Sequence, residues 1–159
     1  MLCEFSNNAL QTINPNASAI FTETEVPCER GLILHRDGTG SFLAKGAVRN
    51  NVGCVCRRNQ NERTAKYLVE FGANIAVQTG ETVGEISVAI AVNGTVIPSS
   101  QMIVTPAAVE EFSNVSNAKV VEIYAGCCET VSIVNISDIP ILMQNANVVI
   151  SRPDLYVSY

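Results

Sequence analysis

The hydrophobic pattern is clearest over residues 67–92. Tyr67, Val69, Phe71, Ala73 and Ile75 occupy every second position, and so do Ile86, Val88, Ile90 and Val92. A period of two places each set on one face of a strand, and the pattern predicts two long strands joined by a polar, Gly-containing link. In the second strand the intervening positions are Ser87, Ala89 and Ala91. A solvated face usually carries charged residues, so this small-residue face is expected to be covered by an opposing sheet or a neighbouring subunit.

The same alternation, in shorter stretches, predicts strands near 19–24, 31–36, 39–45, 95–97, 119–125, 130–135, 139–143 and 146–151. Asp37-Gly38 and Asn93-Gly94 are two-residue turn signals, because a type I′ turn needs positive φ at both central positions. Thr105-Pro106, followed by Glu110 and Glu111, is helix-start chemistry and predicts at most one short helical turn near 106–112. No longer helical period exists. Seven to ten short strands with frequent turns predict an all-β sandwich or barrel. Residues 1–17 are rich in Asn and Ser and read as an arm, residues 18–153 as one domain and residues 154–159 as a C-terminal tail.

Only 16% of the 159 residues are charged, against 47% apolar. Ordinary domains carry about 25% charged residues, so part of the surface is expected to be buried in an oligomer. The net charge of −5 argues against a general nucleic-acid binder. Residues 30–66 run against this balance, with eight basic residues and two acidic ones. Within them the polar stretch 46–64 reads as a long loop, with Arg49, Arg57, Arg58 and Arg63 as candidates for a basic contact surface. No apolar run is long enough to span a membrane, and the N-terminal residues lack the pattern of a signal peptide. Four Asn-x-Ser/Thr sequons begin at Asn16, Asn93, Asn114 and Asn135 and read as a by-product of composition.

Catalytic patterns are scarce. His35 is the single histidine and sits beside the Asp37-Gly38 turn, which favours a structural role over a Cys–His nucleophile. There is no phosphate-binding loop, dinucleotide fingerprint or nucleophile elbow. Neighbouring carboxylates such as Glu110 and Glu111 diverge on a helix and do not converge on one substrate. No cofactor and no metal site is expected. Tyr156 and Tyr159 form an aromatic tail, either exposed or docked on an adjacent subunit.

The six cysteines, Cys3, Cys28, Cys54, Cys56, Cys127 and Cys128, leave three readings open: reduced core residues, disulfides, or a metal site. Fifteen pairings are possible, and the sequence does not choose among them. Cys3 lies in the arm, where it could reach a neighbouring subunit.

The segments 35–46 (HRDGTGSFLAKG), 71–77 (FGANIAV), 79–94 (TGETVGEISVAIAVNG), 102–115 (MIVTPAAVEEFSNV), 126–137 (GCCETVSIVNIS) and 144–152 (QNANVVISR) carry a resemblance. Over about four fifths of its length the chain resembles the tumour-necrosis-factor-like, complement-globular-head-like jelly rolls of bacteria and phages. It is similar to the head of the exosporium collagen-like glycoprotein, without a collagen-like stalk. The resemblance implies a jelly roll of about ten strands, a tight homotrimer and display on a particle surface. Tyr67, Phe71, Ile86, Val88 and Ile90 are then expected in the core or at the threefold interface.

The function this predicts is structural and non-enzymatic: a phage capsid-decoration or fibre-head protein at the virion surface, partnered by its own copies and a surface lattice. The alternatives are an extracellular spore or cell-surface filament subunit cross-linked through Cys3, and a surface module binding a glycan or receptor through the basic loop.

Overall fold

The computed structural model describes residues 1–46, 54 and 64–153. Twelve strands are found among them: β1 (Leu2–Asn7), β2 (Gln11–Ile13), β3 (Glu23–Val26), β4 (Ile33–His35), β5 (Phe42–Lys45) and β6 (Thr64–Val77), then β7 (Ile86–Val92), β8 (Thr95–Val96), β9 (Met102–Val104), β10 (Ser113–Tyr124), β11 (Cys128–Asn135) and β12 (Ile141–Ser151). They build two antiparallel six-stranded sheets. The first runs β10-β6-β12-β1-β3, with β2 continuing alongside β12; the second runs β4-β5-β11-β7-β8, with β9 also on β7. The chain is an all-β jelly-roll sandwich.

The core lies between the sheets and follows directly from the alternation. β6 contributes Tyr67, Val69, Phe71, Ala73 and Ile75, and β12 contributes Ile141, Met143, Val148 and Ile150. They meet Phe42, Ile86, Val88, Ile90, Val131 and Ile133 of the second sheet. One buried polar side chain, Asn135, sits among them and is fully used. Its Nδ2 donates to the carbonyls of Ile13 and Ile139, and its Oδ1 accepts from the Ser137 amide. That amide is buried, so the fourth sequon is closed to modification in the folded chain.

Two local expectations change, the N-terminal arm and the Asp37-Gly38 turn. Residues 1–17 are not a free arm: β1 pairs with β12 from Leu2↔Ser151 to Asn7↔Ala146, and Met1, Cys3 and Phe5 are buried. The Asn- and Ser-rich composition masks a short strand whose alternate residues are apolar. Residues 106–112 form bends and turns, and the single 3-10 turns lie at 29–31 and 98–100. Glu111 still caps, accepting from the amides of Ala107 and Ala108, but it closes a turn. Asn93-Gly94 is the two-residue turn with positive φ at both positions, 50° and 76°. Asp37-Gly38 is wider: only Gly38 has positive φ, and the strands pair from His35↔Phe42 outward.

Candidate functional site

The cysteines resolve first. Cys3 is bonded to Cys28 and Cys54 to Cys128, and Cys127 is disulfide-bonded as well. The readings as reduced core residues and as metal ligands are therefore overturned for the described cysteines. So is the connector role of Cys3, which is wholly buried and spent within its own chain. No described cysteine is free, so no thiol remains among the described residues for His35 to activate. The His35 ring stacks on Phe42 with centroids 4.4 Å apart, edge-on to Phe5. Its Nδ1 lies 3.0 Å from the Ser41 carbonyl oxygen and its Nε2 lies 3.2 Å from that of Phe21. This is a structural position. No group of three or more metal-ligating side chains is found among the described residues.

Tyr67, Phe71, Ile86, Val88 and Ile90 are all buried in the core of the single chain. The opposite face of β7 is covered as well: Ala89 and Ala91 are fully buried and Ser87 nearly so, with no second chain present. Arg49, Arg57, Arg58, Arg63, Cys56, Tyr156 and Tyr159 lie outside the described residues.

What remains open is the outer face of the first sheet. Alternation turns Leu2, Leu68, Val120 and Val149 outward, and register aligns three of them along one row, Leu2–Ser151–Leu68–Val120. Val120 is 54% exposed, Tyr124 49% and Leu2 45%. Beyond this apolar end the face is mostly small or amide-bearing: Ala118, Ser116, Gly72, Asn114, Asn74, Gln144 and Asn147. Across β1, β12, β6 and β10 the outward charges are Glu4, Glu70 and the Lys66–Glu122 pair, which is 3.3 Å apart. Glu4 is held by the Asn147 amide at 2.6 Å. A solvent-facing sheet surface this poor in charge fits burial against another surface.

In the sequence this face is overshadowed by the stronger apolar alternation of 67–75. The signal was in the positions between them, where Leu68, Gly72, Asn74 and Ala76 stand beside only two charges, Lys66 and Glu70.

No helix among the described residues is long and apolar enough to cross a membrane. No protein-family model and no curated protein matches the sequence. Solved structures do match in fold. The chain is similar to the Eiger TNF from S. frugiperda at 12% identity and a TM-score of 0.60, covering 96% of this chain and 91% of that one. It is similar to murine APRIL at 8% identity and a TM-score of 0.60, over 95% and 97%. It is also similar to the globular domain of zebrafish complement 1qA protein at 12% identity and a TM-score of 0.58, over 94% and 92%. The tumour-necrosis-factor-like, complement-globular-head-like jelly roll is thus the fold of this chain.

Proposed function

We propose that the protein is a non-enzymatic structural module that assembles as a homotrimer through the outer face of the first sheet and is displayed on a particle surface, as a phage capsid-decoration or fibre-head protein. The observation that carries the assembly is the charge-poor face, with Leu2, Leu68, Val120 and Val149 turned out of a sandwich whose core is already complete. Burial stabilises by about 25 cal/mol per Å² of apolar surface, so covering four such side chains is a substantial driving force. The structural role fits a chain whose histidine is held between carbonyls and whose described cysteines are all cross-linked. The disulfides favour a place outside a reducing compartment. The virion assignment rests on the resemblance of the sequence segments named above.

Sedimentation equilibrium at micromolar concentration tests the assembly: the mass should be three times the 17.0 kDa chain. A monomer overturns it. Mass spectrometry of purified particles from the natural host tests display, which is lost if the protein is absent from them.

A further inference from the structure

The outer face of the first sheet carries a one-way chain of side-chain amides. Asn114 on β10 donates through Nδ2 to Asn74 Oδ1 on β6 at 3.1 Å, and Asn74 donates through Nδ2 to Asn145 Oδ1 on β12 at 3.4 Å. Asn114 Nδ2 also reaches the Ala73 carbonyl at 3.4 Å. The chain therefore has two unlike ends. At the β10 edge an acceptor, Asn114 Oδ1, has no partner among the described residues. At the β12 end a donor, Asn145 Nδ2, has none. Asn145 owes its place to the irregularity of β12, where the register with β6 shifts between Gln144 and Asn147 and its own φ is 52°.

In the single chain both ends are open to solvent, because Asn114 and Asn145 are exposed. A partner that covers the face removes that solvent, and an unpaired buried donor or acceptor is costly. The partner must offer a donor to Asn114 and an acceptor to Asn145. A second copy of this chain offers both, provided the β12 end of one copy meets the β10 edge of the next. That is a head-to-tail contact, which closes into a ring of three when each copy is turned by a third of a turn from the last, and grows into a filament when it is not.

Resting on the trimer reading above, we propose that Asn145 of each subunit donates to Asn114 of the next, so that the amide chains join into one ring. The apolar row then supplies affinity, and the amides select the closed ring over other packings of the same face. A buried polar contact can set register in this way.

The test uses the full chain and sedimentation equilibrium. Asn145→Gly deletes the donor while keeping the backbone, since glycine adopts positive φ freely. Asn114→Ala deletes the acceptor. Each should raise the dissociation constant about tenfold or more. Asn145→Asp puts an acceptor against an acceptor and should weaken the trimer more than Asn145→Gly. The two deletions are also combined in an Asn74→Ala background, which cuts the relay within a subunit. There the double variant should be little weaker than either single one, because both remove the same contact. Additive losses, or Asn145→Asp as tight as wild type, overturn the amide ring while leaving the trimer standing. A wild-type monomer overturns both.

Discussion

The phenolic hydroxyl of Tyr67 on β6 donates to the backbone carbonyl of Lys45 at the end of β5, 2.6 Å away. The bond crosses between the sheets, from near the start of β6 in one to the last residue of β5 in the other. The Tyr67 ring is wholly buried beneath the Arg152 guanidinium, 5.4 Å from its centroid. One residue thus supplies apolar burial and a polar tether. Tyr67→Phe should keep the burial and lose the tether, costing about 1 kcal/mol. Tyr67→Ala should cost about 3–5 kcal/mol, because it leaves a cavity. Urea unfolding followed by far-ultraviolet circular dichroism checks both. Equal losses in the two variants would show that the bond, and not the ring, holds this junction.

Cys3–Cys28 closes a 25-residue separation and fastens the start of β1 to the segment just after β3. All four residues of β3 are exposed, and its pairing with β1 is broken by an irregularity at Glu4/Phe5. Little apolar contact holds that strand, so the covalent link matters. Replacing both cysteines by serine should cost about 3 kcal/mol on loop-entropy grounds. Amide exchange should quicken first in β1 and β3, with β6 and β7 still protected. Uniform loss of protection would mean that the link supports the whole sandwich.

The long central strands were the most legible part of the sequence, because β6 and β7 keep strict alternation over many residues. Asn93-Gly94 was legible because its backbone demand is met by few residue types. The N-terminal strands were hidden, since two buried apolar residues, Cys3 and Phe5, stand within an Asn- and Ser-rich stretch. The disulfide partners could not be read at all: pairing depends on which strand ends the topology brings together. The open face was half legible. Its residues show in the alternation, but only the pairing of β10 with β6 and of β12 with β1 lines Val120 up with Leu68 and Leu2.

Gly46 occupies a place that no side chain can share. A Cβ added there would collide with the carbonyl oxygen of Tyr124, and the Gly46 amide donates to the Cys127 carbonyl at 2.6 Å. The Gly126 amide returns a bond to the Gly46 carbonyl at 2.9 Å. The obstacle is backbone held on both sides and cannot swing away. Gly46→Ala should therefore destabilise by about 3 kcal/mol, as overpacking against fixed atoms does. Thermal unfolding measures it, and a melting temperature within a degree of wild type would refute the close approach.

Val120 offers the cleanest separation of assembly from folding. It is 54% exposed on the outer face of β10, and it stands opposite Leu68 of β6. In one chain, Val120→Asp places a charge in water and should change stability by less than about 0.5 kcal/mol. In an assembled trimer the same charge would be desolvated without a partner, which costs several kcal/mol. The variant should therefore fold with wild-type circular dichroism yet sediment as a single 17.0 kDa chain. Leu34→Asp on β4 of the second sheet is the control: Leu34 is 48% exposed and lies away from the proposed interface. It should sediment with wild type. If Leu34→Asp dissociates the protein and Val120→Asp does not, the second sheet carries the interface instead.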